Sequence, residues 1–292
     1  MAKINYGDLN PHIIGVLMRE MVRRASIAIH RERLSFSFEI TEKTVDYKTK
    51  EDFLTSADTA AQNVYLSCIK EWFPNYGVIA EEDNLSVPPK ESCKFFFTID
   101  PLDGTKAFIR KQSQAISTMI SLVHGHEVIS VAIGDIMTGE IYYFRPESNR
   151  VHRIHTLFNK VEKLLPVLGT TTTLSETYLL AREDIRIHSE KIQKITDPSN
   201  PERAFKSILI ESGSIGTMFA RLWKGEVGGI LLPPGQTTPW DFNPIFGISQ
   251  KLGYVWGEIN GNTFTKVEHS ALRDNKTLGE ILVVHGTHMN YY

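Results

Sequence analysis

The chain has 292 residues, 41% of them apolar and 23% charged, which suits one large or two ordinary globular domains and excludes a disordered or collagen-like chain. Its 32 Lys and Arg against 34 Asp and Glu leave a formal charge of −2, so no global field points to nucleic acid or a membrane surface and any electrostatic function has to be local. The N-terminus shows no apolar core ahead of a small-residue cleavage site, no run of about 18 apolar residues occurs, and Cys68 and Cys93 lack metal or redox spacing; the expectation is a soluble, cytoplasmic protein with reduced thiols.

Residues 11–34 carry Ile13, Val16, Leu17, Met21, Ile27 and Ile29 at roughly helical spacing, which predicts a first helix. DFLTSADTAAQNVYLSCIKEWFP reads as a second helix, capped by Ser56 or Asp58 and stopped by Pro74, with Asp52 just upstream on a loop or strand end. YGVIAEED and KFFFTID are short β-leaning runs that both finish in carboxylates, as two core strands ending at a common edge would. Residues 116–144 hold three strand-like runs joined by glycine turns, the pattern of an antiparallel meander. Beyond about residue 160, runs such as TYLLA, GGILLP and EILVV alternate with helical stretches such as GTMFARLWKG, so a second, α/β layered domain is expected. The division is placed after residue 158, between an N-terminal α+β domain (1–158) and a C-terminal α/β domain (159–292).

Several acids sit where an apolar strand should end, among them Asp52, Glu81, Glu82, Asp83, Asp100, Asp103 and Asp241. Clustered carboxylates repel unless protons or a cation neutralise them, and oxygen-rich sites suit hard ions such as Mg²⁺. Taken alone, AEED also fits a solvated strand end and DPLDGT a plain turn, in which Pro101 fixes φ and Gly104 permits a left-handed step. If Gly104 and Thr105 open a helix, their N–H groups face an anion, and one turn would hold metal and phosphate together. An EF-hand beginning at Asp100 fails at Leu102 and Lys111. No G-x-x-x-x-G-K-[ST] loop and no G-x-S-x-G elbow is present, since SGSIGT has the wrong glycine spacing, which disfavours Walker-type and covalent serine chemistry.

Together, DFLTSAD (52–58), AEED (80–83), DPLDGTKAF (100–108), GSIGT (213–217) and PWD (239–241) resemble, in order, the motifs of the lithium-sensitive, magnesium-dependent phosphatase superfamily that includes inositol monophosphatase and 3′(2′),5′-bisphosphate nucleotidase. The resemblance implies a layered α-β-α-β-α sandwich with an N-terminal antiparallel sheet and a C-terminal mixed sheet. It also implies phosphomonoester hydrolysis by a metal-activated water, with two or three Mg²⁺ ions per site. Carried over residue by residue, Glu81, Asp100 and the Leu102 carbonyl would bind one ion, and Asp100, Asp103 and Asp241 a second. Glu81 would border a third. Asp52 and Thr105 would orient and deprotonate the water, the Gly104 and Thr105 amides would hold phosphate oxygens, and Thr55 and Asp58 would support the site.

The chain departs from the pattern at Ala80, where a glycine is usual, and in FRPESNRVHRIH, where a glycine-rich segment is common. The position of a sugar-contacting acid, seven before Asp241, is Pro234. PPGQTTPWD and DPLDGTK are closer to bacterial bisphosphate nucleotidases, in which a lysine follows the Gly-Thr pair. Lys106 is therefore either a substrate contact beside a second phosphate or an ordinary surface lysine. The expected activity is conversion of 3′-phosphoadenosine 5′-phosphate to AMP and phosphate. Inositol-1-monophosphatase or another sugar-phosphate phosphatase, and a catalytically silent metal-dependent binding protein, are the alternatives. The expected partner is a small phosphorylated metabolite rather than a nucleic-acid polymer or a membrane, with a homodimer as the assembly to test.

Overall fold

In the computed structural model, which describes residues 4–35, 39–43, 52–90, 93–165, 173–201, 203–260, 263–268 and 270–291, the first helix, α1 (Pro11–Leu34), begins where the Asn10 side chain accepts the N–H groups of His12 and Ile13. Its buried stripe of Ile14, Met18, Met21, Val22, Ala25 and Ile29 follows helical spacing. A hairpin of β1 (Ile40–Lys43) and β2 (Asp52–Thr55) leads into α2 (Ser56–Trp72), which packs beside α1. The cap of α2 is Thr55, not Ser56 or Asp58. Its hydroxyl accepts the Ala57 N–H at 3.2 Å while Asp58 Oδ2 accepts the Thr55 N–H at 2.7 Å, so the capping box engages Asp58 inside the first turn.

The first sheet contains β3 (Gly77–Ala80), β4 (Ser86–Val87), β5 (Phe95–Asp103), β6 (Ser117–His124), β7 (Glu127–Asp135), β8 (Glu140–Phe144), β9 (His152–His155) and β10 (Lys160–Lys163), ordered β10-β9-β8-β7-β6-β5-β3-β4. All its pairings are antiparallel except β3 with β5, which run parallel and so bring Glu81 and Asp100 to the same edge. The division expected after residue 158 falls in the turn between β9 and β10, and the first sheet runs on to Lys163. The sequence places the boundary there because the alternation of strand-like and helical runs begins beyond it.

Between Asp100 and Asp103 the register of β5 against β6 shifts, with Asp100 opposite Met119 and Asp103 opposite Ser117. Pro101 has no N–H for the ladder, so the strand bulges at this point. In a regular strand residues three apart face opposite sides of the sheet. The bulge turns both carboxylates to one side, and the chain then enters the single-turn helix α3 (Thr105–Ile109).

The second sheet is mixed. It comprises β11 (Tyr178–Ala181), β12 (Ser207–Ile210), β13 (Gly229–Leu232), β15 (Tyr254–Asn260), β16 (Thr263–Lys266) and β18 (Glu280–His285), with β11 parallel to both β12 and β13 and the remaining pairs antiparallel. A separate ribbon joins β14 (Gly235–Thr237) to β17 (Lys276–Leu278). Helices α5 (Ile215–Lys224) and α6 (Pro239–Lys251) lie between the sheets, and α4 (Glu190–Thr196) covers the far face of the second. The layers are thus α-β-α-β-α. One continuous core joins Met119, Tyr142 and Phe144 of the first sheet to Phe219, Trp223 and Phe246 of the central helices and to Ile230, Trp256 and Val283 of the second sheet. No described helix is long and apolar enough to cross a membrane.

The approach of α6 to the first sheet depends on Gly247, where an added Cβ would lie 2.8 Å from Val128 Cγ1 and 2.9 Å from Val131 Cγ2. Gly247→Val should therefore destabilise the protein by about 1–3 kcal/mol, the usual range for overpacking, as read from urea unfolding. A variant within about 0.5 kcal/mol of wild type, the usual effect of a neutral surface change, would show that α6 is not clamped at this point.

Candidate active site

Four chain segments meet at one edge of the layers: the ends of β3 and β5 and the beginnings of α5 and α6. They deliver Asp100, Asp103 and Asp241, each offering one oxygen, with these oxygens all within 4.8 Å of one another. Asp100 is 2% and Asp103 6% exposed, and Asp241 is half-buried. This is the trio expected to share one metal ion. Glu81 is half-buried on the same cleft and continues the parallel ladder through its N–H to Ile99 O at 3.1 Å, yet it stands outside the close trio.

Asp103 is the most heavily held of the three. Its Oδ2 accepts from Ser117 Oγ (3.0 Å), Ser214 Oγ (2.5 Å) and the Gly216 N–H (2.7 Å), and its Oδ1 accepts the Ile215 N–H at 3.0 Å. Ser214 is also the N-cap of α5 and accepts the Thr217 N–H at 3.0 Å. The GSIGT segment is therefore the seat of a carboxylate at a helix N-terminus, where the exposed amides and the macrodipole both favour negative charge. Asp241, in the first turn of α6, accepts from Thr238 Oγ1 at 2.6 Å, and Asp100 Oδ1 accepts the Leu102 N–H at 3.0 Å.

The turn after Asp103 is built by close approach. Gly104 has φ +96°, and a Cβ there would lie 2.3 Å from the Ala115 carbonyl oxygen. Ala115 itself is left-handed at φ +62°, accepts the Ser214 N–H at 3.0 Å, and packs where a Cβ on Gly213 would lie 2.8 Å from its own. This wedge ties the Gly104 turn to the cap of α5. Thr105 Oγ1 lies within hydrogen-bonding reach of Asp58 Oδ1 (3.2 Å) and the Leu102 carbonyl (3.1 Å). With only five residues in α3, the Gly104 and Thr105 amides act as individual donors rather than as the pole of a long helix.

Gly104, Thr105 and Lys106 all line the cleft, a space of about 730 Å³. Lys106 is exposed, its Nζ 5.5 Å from the centre of the Phe53 ring. Asp52 opens β2 on the same hairpin, but its side chain lies outside the described residues. Sequence reasoning missed the Ser117, Ser214 and Thr238 hydroxyls that hold the acids, and two cleft cations, Arg110 and Arg182. A signal for Arg182 existed: it directly follows β11, at the carboxyl end of a parallel strand, where α/β sheets bind ligands.

Two like charges at such separations repel by roughly 3–4 kcal/mol in a medium of intermediate dielectric, whereas a hydrogen bond to a charged group contributes about 1.5–3 kcal/mol. The donors around Asp103 can settle one charge; they cannot settle three. Burial, with the charges of Glu81, Asp103 and Asp241, accordingly holds the Asp100 carboxyl well above the usual carboxylate range. Burial and the charges of Asp103 and Glu81 push Asp241 up to about 6, against the opposing Thr238 hydrogen bond and the Arg182 charge. The donor set is all oxygen, negatively charged and closely gathered, which fits a hard divalent cation such as Mg²⁺.

A raised folded-state pKa stabilises fully only below the unfolded value of about 4, and for Asp241 that stabilisation is lost as pH rises through about 6. Above that pH the ionised cluster destabilises the cation-free protein and binds a cation best. Melting in EDTA and in Mg²⁺ should therefore give a Mg²⁺-dependent rise in Tm that is small at pH 5 and grows through pH 6 to 7.5. A rise independent of pH would separate cation binding from this cluster.

The Inositol monophosphatase family description matches residues 17–286. The chain is 28% identical over 107 residues to the 3′(2′),5′-bisphosphate nucleotidase CysQ of Salmonella typhimurium, an alignment covering 36% of this chain and 43% of that protein, so it spans less than half of that relative's length. It is 25% identical over 247 residues to CysQ of Haemophilus influenzae, covering 78% of this chain and 80% of that protein. In fold it is similar to a solved IMPase/NADP phosphatase complexed with Mg²⁺ and phosphate, at a TM-score of 0.68 and 15% identity over 96% of this chain and 94% of that one. With the motifs in order and the family match running through nearly all the layers, the chain belongs to the inositol monophosphatase family.

Proposed function

We propose that the protein is a Mg²⁺-dependent phosphomonoesterase acting in the cytoplasm on a nucleoside 3′(2′),5′-bisphosphate, releasing inorganic phosphate and leaving the nucleoside monophosphate. The observation that carries the chemistry is the close trio of Asp100, Asp103 and Asp241, two of them buried and the third half-buried. In this reading Mg²⁺ bound by these oxygens, with Glu81 and the Leu102 carbonyl completing the oxygen set, supplies Lewis acidity and neutralises charge on the phosphate. The Gly104 and Thr105 amides hold the phosphate oxygens. Asp52 takes the proton of the attacking water and Thr105, set against Asp58, orients that water. The oxygen of water forms the new bond to phosphorus, the ester P–O bond breaks, and the ribose oxygen leaves with a proton.

The choice of a nucleotide is supported by the names of the relatives above and by the cleft itself. Pro234, at the position where a polyol-binding acid is expected, lines the cleft without offering a carboxylate, and Lys106 stands at its rim. The two cysteines are free thiols, in keeping with a reducing compartment.

Phosphate release from 3′-phosphoadenosine 5′-phosphate and from inositol 1-phosphate, in Mg²⁺ with and without Li⁺, tests this reading. The nucleotide should be preferred by about tenfold or more in kcat/KM, the equivalent of one additional hydrogen bond to a charged group, and Li⁺ should inhibit. Preference for the inositol ester would overturn the nucleotide assignment. Asp241→Asn keeps an acceptor for Thr238 but removes a charge from the trio, so turnover should fall about a hundredfold or more while melting in EDTA above about pH 6 is unchanged or raised, because one repelling charge is gone. Undiminished turnover would remove the trio from the chemistry.

A further inference from the structure

Two cations of the cleft, Arg110 and Arg182, form no close ion pair with a carboxylate among the described residues. Arg110 is the C-cap of α3, one turn beyond Lys106, and is exposed on the cleft. Its position is built rather than incidental. The Arg110 N–H donates to Lys106 O at 3.1 Å, Lys111 turns left-handed at φ +53°, the Gln112 N–H returns to Ala107 O at 3.0 Å, and Arg33 of α1 holds the Gln112 carbonyl at 2.5 Å. The loop that presents Arg110 is thereby fastened to a helix of the outer layer.

Arg182 comes from the opposite sequence half. Its N–H extends the β11–β13 pairing through Leu231 O at 3.2 Å, and its Nη2 donates to the Gly213 carbonyl at 3.2 Å. Gly213 leads into the cap of α5, so the guanidinium is anchored to that loop, and its charge acts on the Asp241 carboxylate. A guanidinium carries five N–H donors, and one is taken by Gly213. The remainder have no protein partner among the described residues, in a half-buried position on the cleft wall. Glu183, next along this wall, has an interaction of its own in the structure.

A bisphosphorylated substrate brings more charge than the acid trio and its cation can take. The phosphate that is not cleaved needs cationic donors away from the carboxylates, and the planar fork of arginine fits two phosphate oxygens at once. We propose that Arg182 and Arg110 form a second anion subsite that receives the uncleaved phosphate of the substrate. This inference rests on the nucleotide reading of the same cleft.

The test compares two substrates that share the scissile group: adenosine 3′,5′-bisphosphate and adenosine 3′-monophosphate, with inositol 1-phosphate as a third arm. Wild type, Arg182→Gln, Arg110→Gln and Arg182→Lys are each measured for kcat/KM on all three. In both glutamine variants the ratio of bisphosphate to monophosphate should fall about ten- to a hundredfold, as for loss of a charge-assisted hydrogen bond, with Arg182→Lys in between. Both nucleotides are assayed on one preparation, so any loss of folded enzyme cancels in the ratio. An unchanged ratio overturns the subsite, whether the rates fall together, which would place Arg182 in service of Asp241, or do not fall at all. Wild type that cleaves inositol 1-phosphate and neither nucleotide overturns the nucleotide reading and the subsite with it.

Discussion

Three carboxylates gathered in a nearly dry space set the terms for the rest of this molecule. Asp100, Asp103 and Asp241 repel one another more strongly than any single hydrogen bond can offset. The fold answers differently at each. Asp103 is given four donors and a helix N-terminus. Asp100 and Asp241 each accept one hydrogen bond from outside the trio, from the Leu102 N–H and the Thr238 hydroxyl, and burial and mutual repulsion hold both carboxyls above the usual carboxylate range. This asymmetry leaves one acid firmly held and two whose oxygens could take a cation.

Holding that arrangement requires that none of its parts move independently. Asp100 and Asp103 share one strand and its bulge, Asp241 rides on α6, and α6 is clamped between both sheets within a single core. The Gly104–Ala115–Gly213 contact then locks the turn after Asp103 to the cap of α5, at the cost of one left-handed alanine. A strained, buried non-glycine residue of this kind persists only where its surroundings over-determine it. The hairpin that carries Asp52 is fastened from the other side, through Ser56 Oγ to Glu32 Oε2 of α1 at 2.5 Å. The outer helical layer thus contacts two segments beside the cleft, through Glu32 to Ser56 at the start of α2 and Arg33 to the Arg110 loop.

Much of this is legible in the residues. Apolar runs that stop at carboxylates mark the strand ends at Glu81 and Asp100, and the meander and the α/β alternation mark the two sheets. What escapes does so for physical reasons. The spacing of Asp100 and Asp103 alone predicts opposite faces, and only the missing N–H of Pro101, read together with a partner strand, shows why they converge. Thr55 escapes notice as a cap because Asp58, the more obvious capping residue, is engaged by the same box from its third position. The boundary after residue 158 misses the last strand of the first sheet because Lys160–Lys163 is short and mostly charged, with no apolar run to mark it as a strand. Arg110 and Arg182 stand 72 positions apart in the sequence, and nothing local in either segment says that they border one cleft.

Their positions give the cleft a polarity that the near-neutral chain conceals. Acids lie at its floor, and Lys106, Arg110 and Arg182 lie around it. A phosphate ester whose remaining substituents are neutral hydroxyls needs only the floor, because a cation there matches its one charged group. Three surrounding cations that form no close ion pair among the described residues match nothing on such a substrate, although Arg182 still eases the charge of Asp241. For a substrate charged at both ends the same cations are complementary, steering it in and setting which phosphate meets the acids. The distribution of charge within the cleft, more than its size or the fold around it, is therefore the physical feature that separates the nucleotide reading from the polyol one.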